Sequence, residues 1–290
     1  MSTDSVASRV IKLVGKNKRV LELGSASGHM TKLLTEFGCS VVSIDVNPDA
    51  VSAAQEYAEH AYCINLDTPD GLYFLESLDP FDVVLAADVF EHLRNPCLLI
   101  RKVKSLLNEN GYLVFSTPNI AHSGVIASLI CGEFDYRETG LLDSSHVHFY
   151  TESSIKAALV DADLSLAYFD HFDAGVEHPE FARYWEQLPE NIRHYLQNKE
   201  GGGAFQFVAA ATRKPLDGLL EVLGNDLIKY RQELAIAAME LNLVSENREA
   251  LREEISRLRL DYDSIATEVT LFRRSRILRF WKKIRSVLSF

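Results

Sequence analysis

Cysteine is scarce in this sequence, and long apolar stretches are absent. The cysteines form no C-x-x-C pair, so the spacing of common zinc and redox motifs is missing. Scattered single cysteines are typical of intracellular proteins. The chain has no apolar run of about 18 residues, the length that predicts a membrane-spanning helix, and it begins without the apolar core of a signal peptide. We therefore expect a cytoplasmic protein without membrane spans. The four cysteines are Cys39, Cys63, Cys97 and Cys131.

An excess of positive charge is also absent, since the formal net charge is −11. This balance argues against a dedicated nucleic-acid-binding protein. The charge is unevenly distributed, because residues 272–290 contain seven basic residues and no acidic one, whereas the other 23 basic residues stand against all 41 acidic residues. The hydrophobic content of 47% is ordinary for a protein with a globular core.

Short apolar segments alternate with helical patterns along residues 1–213. Strands that alternate with helices predict βαβ units and a parallel sheet covered on both faces. We expect a Rossmann-like, mostly parallel seven-stranded α/β sheet. A helical, charged insert around residues 179–198 separates the last two strands and allows a hairpin-like return of the last one. The predicted strands are residues 19–23, 40–44, 61–64, 81–86, 111–116, 164–169 and 205–212.

Apolar residues repeat every seven positions over residues 227–272, beyond a predicted linker at residues 214–226. Thirteen of the fourteen a and d positions are uncharged, and Arg248 is the exception. Acidic g positions and basic e positions, such as Glu254 and Arg259, suit pairing between parallel neighbouring helices. We predict a long α-helical coiled coil that makes the chain a homo-oligomer, a dimer or a trimer. The alternative is a long helix that folds back on its own domain.

A glycine-bearing turn, Glu22-Leu-Gly24-Ser-Ala26-Ser-Gly28, follows the first predicted strand. Open parallel sheets bind ligands beyond the carboxyl ends of their strands, beside this turn. Glycine lets the backbone turn sharply and approach a ligand closely. The dinucleotide fingerprint G-x-G-x-x-G would need glycines at positions 26 and 29, where this chain has alanine and histidine. The glycine spacing of this turn therefore differs from that of the dinucleotide-binding fingerprint.

The pattern Glu-x-Gly-x-(Gly/Ala)-x-Gly resembles the signature of class I S-adenosylmethionine-dependent methyltransferases. Asp45 ends the second strand, where an acidic residue suits the ribose hydroxyls of the cofactor; a merely solvated strand end is the alternative. The resemblance implies that Asp67 meets the adenine amino group, although a helix cap is its alternative role. It also implies that Asp88 lines the methionine end and that Glu22 faces the cofactor's amino group. The predicted cofactor-binding residues are Glu22, Gly24, Ala26, Gly28, Asp45, Asp67 and Asp88.

Methyl transfer from a sulfonium needs aligned reactants, and it needs a base where the acceptor must lose a proton. Histidine suits that role near neutral pH, and our candidates are His92 and His146. Glu91 and His92 lie in a D-V-x-E-H stretch shared with quinone O-methyltransferases, where they would belong to a metal-assisted site. No further ligand spacing is clear, so no metal ligand is assigned. A residue that packs on the pocket wall is the alternative for His92.

Residues 131–151, CGEFDYRETGLLDSSHVHFYT, resemble a pattern found in methyltransferases of bacterial surface-polysaccharide biosynthesis. His148 departs from that pattern, which usually has arginine there. The resemblance covers residues 19–165 and implies that His146 lies in the pocket as a base or a substrate clamp. The alternative is that Asp143 and His146 only fix the loop.

The last segment, residues 273–290, is predicted to be a basic amphipathic helix. Aromatic and aliphatic residues interspersed with cations describe a helix that lies in an anionic membrane interface. The alternative is a basic end that docks on the acidic domain of its own chain. With the polysaccharide resemblance, the segment predicts a protein held peripherally at the inner face of the cytoplasmic membrane.

The leading hypothesis is an S-adenosylmethionine-dependent O-methyltransferase that acts on a sugar hydroxyl of a lipid-linked cell-surface glycan. A quinone or another small aromatic hydroxyl is the alternative acceptor, suggested by residues 86–93, AADVFEHL. A third hypothesis is a non-catalytic coiled-coil scaffold with a degenerate methyltransferase fold. The intact Glu22, Gly24 and Gly28 argue against it.

Overall fold

Seven strands form one sheet: β1 (Arg19–Leu23), β2 (Ser40–Asp45), β3 (His60–Cys63), β4 (Phe81–Ala87), β5 (Leu107–Pro118), β6 (Ser165–Asp173) and β7 (Ala204–Thr212). The computed structural model describes residues 5–213 and 248–274. The strand order is β3-β2-β1-β4-β5-β7-β6. The first five strands pair in parallel, and β7 runs antiparallel between β5 and β6. The predicted Rossmann-like sheet and the hairpin-like return of its last strand are confirmed.

Nine α-helices accompany the sheet within residues 5–213. Many begin at a residue that the sequence marks: Asn47 accepts a hydrogen bond from the Asp49 amide and precedes Pro48, a combination that favours a helix start. The helices are α1 (Val6–Val14), α2 (His29–Glu36), α3 (Pro48–Gln55), α4 (Pro69–Phe74), α5 (Pro96–Leu106), α6 (Ser123–Ile130), α7 (Glu152–Asp161), α8 (Ala182–Gln187) and α9 (Glu190–Asn198).

The core has two layers because the sheet is covered on both faces. Successive side chains of a strand point to opposite faces, and β4 shows the consequence. Val83 and Leu85 belong to one apolar cluster, with residues of α1 and α2. Val84 and Ala86 belong to the other, with residues of α5 and α7. The strands are therefore apolar on both sides, as expected for a parallel sheet.

A third apolar cluster lies outside the sheet, where α6 packs against the insert between β6 and β7. It joins Val125 of α6 to Phe181 and Trp185 of the insert. Gly124 permits the contact, since a Cβ there would lie 2.5 Å from the Phe181 ring. The predicted helical insert is confirmed and comprises α8 and α9. Its packing places the insert over residues 131–151.

The structure corrects the sequence-based expectation at several elements. Strand β5 starts at Leu107 rather than 111, because Leu107 pairs with Phe81 before the register shifts. Helices α4 and α6 were not predicted: six residues are too few to show a helical period, and the apolar sequence of α6, SGVIASLI, has no polar face.

The chain divides into two compact units, Met1–Leu216 and Asp217–Phe290. In the second unit the structure describes one helix, α10 (Arg248–Arg274). Its heptad residues Ile255 and Leu258 are half-buried, whereas Leu260, outside the heptad seam, is 71% exposed. The predicted linker, the first part of the predicted coiled coil and residues 275–290 of the basic tail lie outside the described residues. Within the described part of the chain, no helix combines the length and apolarity needed to cross a membrane.

Candidate active site

The predicted cofactor residues come together because β2, β1 and β4 are neighbours in the sheet. Leu23 at the end of β1 pairs with Ile44 on one side and Ala86 on the other. Parallel strands end at the same edge, so the residues that follow these strands share one cleft. This is the topological position at which open α/β sheets bind ligands.

The turn after β1 is shaped by residues with left-handed backbone. Gly24 and Gly28 have φ of +77° and +71°. A Cβ on Gly28 would lie 2.9 Å from the backbone of Ala53, so glycine lets the start of α2 pack directly on α3. Ala26 also adopts a positive φ of 45°, which strains a residue that has a Cβ. The backbone takes the left-handed turn at position 26 without the glycine usual in the family.

Asp45 holds this turn in place from the end of β2. Its Oδ2 accepts a hydrogen bond of 3.0 Å from the Ala26 amide, and its Oδ1 accepts one of 2.8 Å from the Asn47 amide. Each carboxylate oxygen can accept more than one hydrogen bond. The carboxylate therefore keeps capacity for ribose hydroxyls while it orders the loop beside them.

Glu22 is the buried acid of the cofactor side. Its carboxyl group accepts a 2.6 Å hydrogen bond from the Thr31 hydroxyl through Oε2, and a hydrogen bond from the Ser43 hydroxyl also stabilises it. Burial, together with the nearby Asp45 carboxylate, raises the pKa of Glu22 to about 7.

Asp67 ties two loops of the cleft together. Its Oδ1 accepts hydrogen bonds from the amides of Arg94 at 2.8 Å and Asn95 at 3.4 Å, which follow β4. The cap of α4 is Thr68, whose hydroxyl accepts from the Gly71 amide. Asp67 is thus not the helix cap weighed as its alternative. Its role toward adenine stays a prediction.

Asp88 follows β4 and faces the middle of the cleft. Its Oδ1 accepts 2.7 Å hydrogen bonds from the Ser116 hydroxyl and from the Gln206 side-chain amide. Its backbone is left-handed, with φ of 55°. Desolvation of the carboxyl group by the neighbouring protein atoms raises the pKa of Asp88. Ser116 and Gln206 were not identified from the sequence, because they lie in strands whose neighbours only the sheet order reveals.

Glu91 connects the β4 loop to residues 141–150. Its carbonyl oxygen accepts hydrogen bonds from the amides of Val147 and His148, at 2.9 and 3.0 Å. Its carboxyl group is almost fully buried and accepts a 3.2 Å hydrogen bond from the Thr117 hydroxyl. Burial and the neighbouring Asp88 carboxylate raise the pKa of Glu91 to about 8.

The two histidines predicted as catalytic are neighbours. The rings of His92 and His146 meet edge to face, with centroids 4.8 Å apart. His146 Nδ1 lies 3.3 Å from the Leu141 carbonyl oxygen, and His92 Nδ1 lies 3.1 Å from Ser145 Oγ. Burial and the nearby His92 lower the pKa of His146. The structure thus joins two residues that are 54 positions apart, and it adds Ser145, which the sequence analysis did not single out.

Glu91, His92 and His146 form one cluster. Each offers a potential ligand atom, and these atoms lie within 4.8 Å of one another. Two imidazoles and a carboxylate suit either proton transfer or a divalent cation. We call these three residues the histidine cluster.

Two other histidines, His122 and His148, lie outside the histidine cluster. His148 contacts the Arg94 carbonyl oxygen through Nε2 at 3.0 Å. His122 is fully buried and caps α6, with Nδ1 accepting from the Gly124 amide and Nε2 bonded to the Gly175 carbonyl oxygen. Burial lowers its pKa to about 4. His122 therefore serves the packing of the insert.

This sheet order and this cleft define the α/β fold of the methyltransferases. A Bacillus halodurans structure described as a methyltransferase shares the fold, with a TM-score of 0.50 and 15% identity, over 72% of this chain and 99% of that chain. The chain belongs to the methyltransferase domain family, whose model matches residues 4–168, more than half of the chain. S-adenosylmethionine is the cofactor of this enzyme class, so the predicted class and cofactor are confirmed.

Named relatives include ubiquinone biosynthesis O-methyltransferases. The one from Azorhizobium caulinodans is 28% identical over 124 residues, which are 42% of this chain and 49% of the relative. The one from Bradyrhizobium diazoefficiens is 25% identical over 186 residues, 63% of this chain and 71% of the relative. The chain spans about half the length of the first of these relatives. Their names concern a quinone pathway, and the surface-polysaccharide type stays a prediction.

Proposed function

We propose that the chain is an O-methyltransferase that activates a ring hydroxyl at the histidine cluster. One observation carries the proposal: His92, His146 and Glu91 converge beside Asp88, at the edge of the sheet that also holds the cofactor turn. A base at this place adjoins the predicted methionine end of the cofactor site.

The cleft fits S-adenosylmethionine on its own geometry. Gly24 and Gly28 give the turn its left-handed backbone, and Asp45 orders the turn while keeping acceptor capacity. Glu22 adds a buried carboxyl group beside the turn. When bound, the cofactor supplies a methyl group on a positively charged sulfur. Acidic residues around the cleft suit that positive charge.

Hydrogen bonding assigns the protons of both imidazoles. A carbonyl oxygen only accepts, so the Nδ1 of His146 donates to Leu141 and its Nε2 carries a lone pair. The Ser145 hydroxyl donates to Asp143 Oδ1 at 2.5 Å, so its oxygen accepts from Nδ1 of His92. The Nε2 of His92 is then basic as well. Either imidazole would accept the proton of the acceptor hydroxyl through Nε2, so that the oxygen could receive the methyl group that a bound cofactor supplies.

Two acceptor classes have support. The relatives' names favour a quinone-type aromatic hydroxyl, a phenolic group with a pKa of about 10, as in Tyr, whose proton a general base removes during transfer. The pattern in residues 131–151 favours a sugar hydroxyl. Methyl-labelled cofactor should be offered to purified protein with catechol-type and glycan-type acceptors in parallel. Labelled product from either class supports O-methyl transfer and selects the acceptor. Absence of product together with absence of cofactor binding would support a scaffold.

The same assay, repeated with a chelator, distinguishes a histidine cluster that acts as a general base from one that binds a metal ion. If a base acts alone, a chelator leaves the rate unchanged. A rate abolished by chelator and restored by a divalent cation would make Glu91, His92 and His146 metal ligands instead.

We also propose that residues 227–272 make the chain a parallel dimer or trimer. The heptad pattern, which continues into α10, supports this. Light scattering should give an oligomer for the full chain and a monomer for a chain that ends at residue 215. If the shortened chain is still an oligomer, the main interface lies in the α/β unit and the proposal is wrong.

The basic tail supports a further proposal, peripheral binding to an anionic membrane surface. Seven cations and the aromatic pair Phe280 and Trp281 supply attraction and an apolar anchor. The full chain should sediment with anionic vesicles and leave neutral ones, and added salt should weaken binding. Replacing both aromatic residues by Glu should release the protein from anionic vesicles. Equal sedimentation with anionic and neutral vesicles would contradict the proposal.

A further inference from the structure

An open surface pocket of about 620 Å³ lies between residues 134–137 and the start of the insert. Residues 134–137 form one wall, and the start of the insert, Pro179–Arg183, forms the other. Its volume is in the range of small-molecule sites. The cavity is outside the cofactor cleft, so the cofactor residues leave it unexplained.

The walls combine exposed aromatic rings with paired charges. Tyr136 is 56% exposed and Phe134 is 38% exposed. Arg183 pairs with Asp135, which also accepts a 2.7 Å hydrogen bond from the Tyr184 hydroxyl. These groups are held in place before any ligand arrives, which lowers the entropic cost of binding.

Glu180 is the buried acid of the lining. Its side chain is 7% exposed, and its carboxyl group accepts hydrogen bonds from the backbone amides of Leu141 and Leu142. Its carbonyl oxygen accepts a hydrogen bond from the Arg137 guanidinium. Glu180 therefore joins the two walls and fixes their spacing.

Aromatic contacts link the cavity to the histidine cluster. The ring of Phe134 lies 5.8 Å from that of Phe149, and Phe149 lies 6.3 Å from His146. A ligand against Phe134 is thus two ring contacts from the predicted base. This distance suits a molecule whose other end reaches His146.

We propose that this cavity binds a saccharide ring, the part of the acceptor that precedes or carries the methylated hydroxyl. Carboxylate and guanidinium groups hydrogen-bond neighbouring hydroxyls, while Tyr136 and Phe134 cover the apolar face of the ring. The lining has two acidic and two basic residues, so it does not select an anion. Among the described residues that line it there is no Leu, Ile, Val or Met to hold a prenyl chain. The link to methylation rests on the proposed function, whereas saccharide binding itself does not.

Saturation-transfer NMR on the full chain tests the inference, with a panel of methyl hexopyranosides and catechol as probes. We expect transfer to the ring protons of at least one glycoside. Tyr136→Ala should weaken the affinity for that glycoside about fivefold or more, on the scale of an aromatic contact. Tyr195→Ala is the matched control, because Tyr195 is 67% exposed on α9 and outside the lining. Calorimetry with S-adenosylhomocysteine checks that each variant is folded.

The outcomes separate the two proposals. No transfer to any glycoside, or transfer unchanged in Tyr136→Ala, overturns the saccharide site. If saturation transfer occurs only to catechol and disappears in Tyr136→Ala, the saccharide site is also overturned, and the pocket is assigned to aromatic acceptors. Glycoside binding without any cofactor binding leaves the saccharide site standing and removes the methyltransferase function.

Discussion

The cofactor side and the acceptor side of the cleft are stabilised by different kinds of contact. On the cofactor side, the turn after β1 is bonded to Asp45 across one neighbouring strand, and Glu22 bonds Thr31 only nine positions away. On the acceptor side, the Glu91 carbonyl oxygen accepts from the amides of Val147 and His148 across 56 and 57 positions, and His146 meets His92 across 54. The cofactor side is thus largely local, whereas the acceptor side depends on the packing of distant segments.

The difference suggests how the two sides change independently. The cofactor side rests on sheet geometry that any class member needs. The acceptor side rests on residues 131–151 and on the insert, which form their own apolar cluster outside the sheet. Loops on a rigid scaffold can vary in sequence without loss of the fold. Substitutions should therefore separate cofactor binding from turnover.

The largest expected effect is on the acceptor side, at His146. His146→Ala should lower the maximal rate about 100-fold or more, the scale of a lost general base, and leave the affinity for cofactor unchanged. Steady-state rates and calorimetry measure the two quantities. His60→Ala is the control, since His60 is exposed at the opposite end of β3. A loss below about threefold in both His146→Ala and His92→Ala would place the base elsewhere.

Asp45→Ala should produce the reverse pattern. We expect cofactor binding to weaken by about 1.5–3 kcal/mol, the scale of hydrogen bonds to a charged group. The rate at saturating cofactor should stay close to that of the wild type. Calorimetric titration with S-adenosylmethionine provides the measurement. An unchanged affinity would remove Asp45 from the site and erase the difference between the two sides.

Glu22 gives the cofactor side a pH dependence. Its pKa is about 7 in the folded chain, against the ordinary value of 4.5 for a glutamate side chain, so the folded state binds the proton more tightly than the unfolded state. Its contribution to stability is complete below about pH 4.5 and is lost as the pH rises through about 7. Glu22→Gln, in the absence of cofactor, should raise the free energy of unfolding at pH 8.5 by an amount on the order of 1–3 kcal/mol. Denaturant melts at pH 5 and 8.5 test this, and an equal effect at both values would contradict it.

The smallest expected effect is at Ala26. Ala26→Gly removes the strain of a Cβ at positive φ but gives the unfolded chain more freedom, so we expect a change below about 1 kcal/mol in unfolding free energy. Cofactor affinity should be equal or slightly tighter. Thermal melts and titration measure both, with Ala53→Gly as a contrast within helix α3. A large loss of affinity would mean that the alanine side chain itself contacts the cofactor.

The sequence by itself determined the sheet and most of its elements. Apolar segments of four to eight residues separated by helical patterns fix strand and helix types, and β1 and β7 lie where they were predicted to within one residue. The gathering of Gly24, Asp45 and Asp88 at one edge also follows from the parallel order, because each lies just after or at the end of a strand. These features depend on local periodicity and on a topology with few alternatives.

Only the tertiary structure decided the acceptor side. The sequence offered His92 and His146 as separate candidates 54 positions apart, and only packing brought them together, while it buried His122 as a helix cap. Gln206 and Glu180 carried no signal, because their partners lie far away along the chain. Hydrogen-bond partners and burial set pKa values and orientation, and neither can be read from spacing. The physical reason is that periodicity specifies which face of an element is apolar, but not which distant polar side chain will lie across from it.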